Sequence, residues 1–154
     1  MVAEGGSVSP QLVPRLEALL GHWQRLYGTQ PLSERSRLDP AGLAAWIPHI
    51  AWIDAASGNR FLIRDFGIDL IRRFGREATN NNVDDLAPDI ATGLHRVLER
   101  AIATSAPVSG GASVQLGRGA AAFADLVLPL AVDGARVSQL LFASYELRRP
   151  PAIR

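Results

Sequence analysis

The chain has 154 residues, of which 47% are hydrophobic and 20% are charged, as expected for one globular domain rather than a disordered segment. Its sixteen basic residues, all arginine, nearly balance fifteen acidic ones, so no broad charge favours nucleic acid or an anionic membrane. The absence of cysteine and lysine excludes disulfides, thiolate nucleophiles, covalent cysteine chromophores and lysine Schiff bases.

The N-terminal sequence predicts a flexible segment over residues 1–9 and then an amphipathic helix from Pro10 to Tyr27. The start of the chain lacks the basic and apolar profile of an export signal, so a cytoplasmic protein is expected. The apolar face of the helix needs a cover, either the rest of this chain or a partner such as a second copy. The residues of this face that we expect to bind a partner are Leu12, Leu16, Leu19 and Trp23.

Two strands and two short helices are predicted next. Asp39-Pro40 begins a short helix that ends near Trp46, because aspartate is a favoured N-cap and proline suits the first helical position. The segments His49 to Ala55 and Arg60 to Phe66 form an antiparallel hairpin. Gly67 permits a sharp exit from the second strand, and Gly75 ends a second short helix in which Ile68, Ile71 and Phe74 share one face.

The second half predicts one long helix and an antiparallel meander. The helix begins at Pro88-Asp89 and ends before Pro107. The three strands run over Val108 to Leu116, Ala121 to Val132 and Ala135 to Leu147, with a turn at Asp133-Gly134. Both faces of the middle strand are largely apolar, so the sheet needs a cover on each side. We therefore expect an α+β fold with an antiparallel sheet.

The order of these elements resembles a PAS domain, and four motifs are similar to those of a bacterial group of stand-alone PAS proteins. The motifs are Trp23 in the first helix, Asp39 with Trp46-Ile47-Pro48-His49-Ile50, Gly67 with Phe74-Gly75-Arg76-Glu77, and Leu128-Pro129-Leu130 with Asp133-Gly134. The resemblance implies a five-stranded antiparallel sheet with the short helices and the long helix on one face and the N-terminal helix as a cap. One domain over residues 10–147 is expected, with the cap helix at 10–28, the core at 39–147 and a flexible tail at 148–154.

The resemblance also implies a ligand site between the internal helices and the concave face of the sheet. Its candidate walls are Trp52, Phe66, Ile71, Phe74, Leu94, His95, Leu98 and Tyr145. The same side chains would equally make an ordinary core. His95 lies on the helix from which haem-binding PAS proteins offer an axial ligand, although a surface histidine is the preferred interpretation. The cofactor is unknown, and the sequence does not exclude noncovalent binding of a flavin.

Other polar residues suggest no catalytic or metal site. His22 and His49 have no recognisable metal-ligand spacing, and we predict no metal. Arg72, Arg73 and Arg76 form a basic cluster that we expect to be solvated. An enzyme that uses His49 with Asp54 or Asp65 is the least favoured hypothesis, because an odd spacing along a strand places His49 and Asp54 on opposite faces.

The leading hypothesis is a cytoplasmic sensory or regulatory module, not an enzyme, that binds a small molecule, a signalling protein or both. It is expected to carry no output domain, to form a homodimer through the N-terminal helix, and to bind neither nucleic acid nor membrane. The alternative from another class is a ligand-free interaction domain with a filled core.

Overall fold

The computed structural model describes residues 13–27, 40–56, 58, 60–117, 119–130 and 137–147. Within them a five-stranded sheet lies between helices on one face and a single helix on the other. The elements are α1 (Pro14–Tyr27), β1 (Ile50–Ala56), β2 (Arg60–Phe66), α2 (Ile71–Phe74), α3 (Pro88–Thr104), β3 (Val108–Leu116), β4 (Gly119–Leu130) and β5 (Gln139–Glu146). Short 3₁₀ turns occupy Pro40–Leu43, Ile47–His49, Ile68–Leu70 and Val83–Asp85. No helix in the described ranges is long and apolar enough to cross a membrane.

The strand order is β2-β1-β5-β4-β3, and every neighbouring pair is antiparallel. The predicted α+β class, the hairpin of β1 and β2, and the meander of β3 to β5 are therefore confirmed. Several predicted features lie outside the described residues. These are the tails at 1–9 and 148–154, the helix start at Pro10, Leu12, the cap residue Asp39 and the turn at Asp133-Gly134.

The inner face of the sheet, defined as the face toward α2 and α3, carries the larger core. In β1 the alternate residues Ala51 and Ile53 point to this face, and β5 contributes Leu140 and Phe142. The amphipathic stripe of α3 packs onto them because its buried residues recur at helical spacing. Those residues are Ala91, Leu94, Leu98 and Ala101.

The outer face is covered by α1 of the same chain. The buried side chains of α1 pack on alternate residues of β4, which are Ala124, Leu126, Leu128 and Leu130. The indole Nε1 of Trp23 donates a hydrogen bond to the carbonyl of Pro129 at 3.3 Å, and Nε1 of Trp46 donates to the carbonyl of Arg15 at 2.8 Å. The prediction that the sheet needs a cover on both sides is thus confirmed.

The chain leaves β2 through a close backbone contact. A β-carbon at Gly67 would overlap the carbonyl oxygens of Ile47 and Pro48. The φ angle of Gly67 is an ordinary −71°, so glycine is needed here for space rather than for an unusual backbone angle. Gly75 has a φ of +85° and ends α2 in the left-handed conformation, as predicted.

One expectation for this segment is wrong. Ile68, Ile71 and Phe74 do not share a buried face, because Ile68 is 69% exposed and Ile71 is half-buried. The segment begins as a 3₁₀ turn and continues as an α-helix, which changes the rotation per residue. The buried positions are instead Leu70, Arg73 and Phe74.

Candidate functional site

Several side chains that the sequence predicts to line a ligand site between the helices and the inner face are packed as core residues. Phe74, Leu94 and Leu98 are fully buried. The ring of Phe74 meets Phe66 edge-on at 5.0 Å and Phe142 edge-on at 5.4 Å between centroids. Edge-to-face rings of this kind are a favourable form of core packing. Four of the predicted pocket walls therefore contact one another or the sheet as core residues, namely Phe66, Phe74, Leu94 and Leu98.

A buried ion pair lies in the same interior. The guanidinium of Arg73 donates through Nε to Oδ1 of Asp125 at 3.2 Å and through one terminal nitrogen to Oδ2 at 2.9 Å. The Ser144 hydroxyl donates to Oδ1 of Asp125 at 2.6 Å, and the guanidinium carbon lies 5.6 Å from the centroid of Phe142. The network joins α2 to β4 and β5, with each charge paired and hydrogen-bonded as burial requires.

The expectation that all three arginines of the cluster are solvated is wrong for Arg73. Arg72 and Arg76 are exposed, and Arg72 makes a two-pronged pair with Glu146 at 2.9 and 3.0 Å. That hydrogen bond raises the pKa of Arg72 above its usual value. The sequence signal for the buried partner was Asp125, a carboxylate inside an otherwise apolar strand.

Trp52 and Tyr145 lie on the outer face rather than with the other predicted pocket walls. Successive side chains of a strand point to opposite faces of the sheet. Ala51 and Ile53 point to the inner face, so Trp52 between them points to the outer face. In the same way, Tyr145 follows the inward-pointing Ser144 in β5 and points to the outer face. Both aromatic residues pack against the core beneath α1. The predicted ligand residues are thus divided between two faces of the sheet.

His95 points away from the filled interior toward the 3₁₀ turn Val83–Asp85. Its Nε2 lies 2.5 Å from Oδ1 of Asp84, and its ring meets Phe61 edge-on at 5.1 Å. Glu99, one helical turn further along α3, lies 3.9 Å from its Nδ1. Nε2, the atom that an iron would take, therefore already has a carboxylate partner.

The predicted partner-binding residues of α1 are used within this chain. Leu16 and Leu19 are fully buried and Trp23 is almost so, all against β4 and β5. A dimer that used these side chains would require α1 to leave its own sheet or to exchange with a second copy. Homodimerisation through this stripe stays a prediction.

A cleft of about 820 Å³ opens on the outer face beside the start of α1. We name it the outer cleft; it is lined by Arg15, His49, Ala120, Ala121, Ala122, Tyr145, Glu146 and Leu147. The ring of His49 stacks on Tyr145 with centroids 4.0 Å apart and planes inclined by 19°. His49 Nε2 also lies 3.2 Å from Oδ2 of Asp69.

The hydroxyl of Tyr145 is buried, and its proton has no acceptor within the described part of the chain. Burial raises the pKa of this phenol. The neighbouring guanidinium of Arg15 lowers the pKa through its charge and as a hydrogen-bond donor, and the charge of Asp69 raises it in smaller measure. The sequence contains no signal for this role of Arg15, because an arginine near the start of an amphipathic helix is usually solvated. Its position over Tyr145 arises from the packing of α1 on the sheet.

A second surface feature lies at the edge of the sheet. Ile47 is 48% exposed and Ile68 is 69% exposed, on two turns that contact each other around Gly67. Beside them is a groove of about 360 Å³. We name this surface the isoleucine patch; besides Ile47 and Ile68 it contains Leu43, Ile50, Trp52, Asp65, Phe66 and Gly67.

His49 and Asp54, which the least favoured, enzymatic hypothesis paired, have other partners, as strand alternation indicated. His49 contacts Asp69, whereas Asp54 pairs with Arg64 at 3.1 Å and accepts a hydrogen bond from Gln139 at 3.3 Å. Within the described ranges no three histidine, aspartate or glutamate side chains converge in a way that could hold a metal ion.

Comparison with solved structures identifies the architecture. A PAS domain from Colwellia psychrerythraea superposes with a TM-score of 0.51 at 11% sequence identity, over 70% of this chain and 95% of that domain. The light-state Aureochrome1 LOV domain matches with a TM-score of 0.49 at 12% identity, over 73% of this chain and 90% of the other. A sensory box sensor histidine kinase from Vibrio cholerae matches with a TM-score of 0.44 at 14% identity, over 94% of this chain and all of the other.

No protein-family model and no curated protein sequence matches this chain. At 11% identity the likeness to the Colwellia domain concerns the fold. The chain has the PAS fold that its motifs predicted.

Proposed function

We propose that this chain is a sensory or regulatory module of cytoplasmic signalling that binds a small molecule, a protein partner or both, and catalyses no reaction itself. The PAS fold supports a signalling role by analogy. The packing of the predicted pocket walls as core residues favours recognition at the surface of the domain.

The observation that carries the partner-binding part is the isoleucine patch. Two large apolar side chains are exposed next to each other, and contiguous apolar surface on a soluble domain is typical of an interaction site. The adjoining groove exposes part of Trp52, and aromatic residues are enriched in interface anchors. Asp65 is exposed on its rim. These features suit a protein that inserts an apolar side chain beside Ile68 and places a basic residue near Asp65.

The experiment for this part is an affinity capture with wild-type protein, Ile68→Ser and the matched control Leu26→Ser. Leu26 is 44% exposed but lies on α1, away from the patch. We expect one protein to be captured by wild type and Leu26→Ser and to be depleted by Ile68→Ser. Calorimetry with that purified protein should then show a roughly tenfold or greater loss of affinity, because the buried isoleucine side chain contributes about 1.5–3 kcal/mol. Equal affinity for wild type and Ile68→Ser would refute this surface.

The ligand-free interaction domain is the second candidate, and the packing of the predicted pocket walls as core residues favours it. Native mass spectrometry of freshly purified protein, with an absorbance scan for haem or flavin, separates the two candidates. A bound molecule supports the sensor, whereas preparations that are always empty support the interaction domain.

A further inference from the structure

We infer that the outer cleft is a binding site for a small organic carboxylate, recognised by the guanidinium of Arg15 and the hydroxyl of Tyr145. This site lies on the face of the sheet opposite the filled interior. The inference rests on the small-molecule part of the proposed function and names the chemical class of the ligand.

The first observation is a pair of hydrogen-bond donors that lacks an acceptor. The Tyr145 hydroxyl is buried, and its proton has no acceptor among the described residues. Arg15 forms no salt bridge in the described ranges, and a guanidinium can only donate. It therefore cannot accept the proton of the hydroxyl. A buried donor without an acceptor is costly, and a ligand oxygen would satisfy both groups.

The second observation is that the acidic side chains nearest to the outer cleft have other partners. Glu146 is held by Arg72 through two hydrogen bonds of 2.9 and 3.0 Å. Asp69 lies 3.2 Å from His49. The positive charge of Arg15 is thus available to an anion, and arginine suits a carboxylate because its planar group matches two oxygens.

The third observation concerns size and lining. A cleft of about 820 Å³ is far larger than a carboxylate alone requires, so the ligand has an organic body. Ala120, Ala121 and Ala122 provide small side chains along one wall, and the stacked His49 supports the ring of Tyr145 from one side. A carboxylate with a flat apolar body fits this lining.

The site is also connected to the interior through β5. Tyr145 lies between Ser144 and Glu146, which bond to the Asp125–Arg73 pair and to Arg72, respectively. Both arginines belong to α2. A ligand bound to Tyr145 would therefore contact a strand whose two neighbouring residues, Ser144 and Glu146, are hydrogen-bonded to Asp125 and to α2.

The test measures binding of benzoate by calorimetry, with benzamide as an uncharged probe of the same shape. We expect benzoate to bind wild-type protein and benzamide to bind at least tenfold more weakly. Tyr145→Phe, which removes only the hydroxyl, should weaken benzoate binding about tenfold or more, because the hydroxyl would donate a hydrogen bond to a charged group. Arg15→Gln should have a similar effect, whereas Arg25→Gln, an exposed arginine farther along α1, should not.

Circular dichroism confirms that each variant is folded, and Tyr145→Phe alone decides the outcome if Arg15→Gln is unfolded. No difference between benzoate and benzamide, or wild-type affinity in Tyr145→Phe, would overturn the site. Capture of the partner depends on Ile68 and not on Tyr145, so failure of the carboxylate site is distinguishable from failure of the proposed partner-binding function.

Discussion

Arg73 and Asp125 lie 52 residues apart in the chain and form a two-pronged ion pair in the interior, with side chains only 3% and 2% exposed. The pair joins α2 to the middle of β4, and Ser144 extends it to β5. It occupies the face of the sheet where the sequence predicted a ligand. Both charges are satisfied by neighbours, so the pair belongs to the packed core.

Loss of one partner of this pair should destabilise the fold strongly. In Asp125→Ala the guanidinium of Arg73 stays buried without its counter-ion, which should lower the free energy of unfolding by about 3–5 kcal/mol. Urea denaturation followed by circular dichroism measures the change. The double variant Arg73→Met with Asp125→Leu should recover most of this loss, because apolar replacement of both charges removes the desolvation cost. Arg72→Met, which breaks the exposed pair with Glu146, is the control and should have a much smaller effect. A mild effect of Asp125→Ala would show that the pair is not needed for the packed core.

Gly67 should tolerate no side chain. A methyl group in Gly67→Ala would overlap the carbonyls of Ile47 and Pro48, so the strand exit must shift, at a cost of about 3 kcal/mol. Thermal unfolding measures this loss. Gly93→Ala is the matched control, because a β-carbon there meets nothing within 4 Å and alanine in a helix stabilises by about 0.5–1 kcal/mol. Equal melting temperatures for the two variants would contradict the close contact at Gly67.

The stripe of α1 should behave as core of a single chain. Leu19→Ala removes a fully buried side chain and should lower the free energy of unfolding by about 2–5 kcal/mol, whereas Leu26→Ala should change it by less than about 0.5 kcal/mol. The unfolding midpoint of wild type should not depend on protein concentration, because the cover comes from the same chain. A midpoint that rises with concentration, together with a dimer in light scattering, would indicate exchange of α1 between copies.

The raised pKa of Tyr145 predicts a loss of stability in alkali. The phenol is neutral in both folded and unfolded chains below the usual tyrosine pKa of 10.0, so it has no effect on stability there. Above that pH the unfolded chain releases the proton more readily, and stability falls until the folded pKa is passed. Thermal unfolding from neutral to alkaline pH should show a smaller alkaline loss in Tyr145→Phe than in wild type. Identical alkaline profiles would show that burial of this hydroxyl has no energetic effect.

The motifs behind the PAS resemblance contact one another in the folded domain. Trp23 donates a hydrogen bond to Pro129 of the Leu128-Pro129-Leu130 motif. Gly67 lies against Ile47 and Pro48 of the second motif. Each contact joins segments that are distant in sequence. The order of the motifs therefore predicted the fold well, while it contained little information about what the domain binds.

Local spacing determined the elements of this protein. Helical periodicity located α1 and α3, Gly75 marked the end of α2, and the two apolar faces of β4 required a cover on each side. These features depend only on residues that are neighbours in the chain, so a sequence is sufficient to predict them.

The tertiary structure alone decided which face each strand residue occupies and which polar groups meet. Alternation shows which residues of one strand share a face, but not which of the two faces that is. It could not show that Trp52 and Tyr145 lie on the outer face while Phe142 lies on the inner face. The pairing of Arg73 with Asp125, and the position of Arg15 beside Tyr145, follow from strand order and helix docking. Such contacts join residues far apart in sequence, and their geometry exists only once the sheet is assembled.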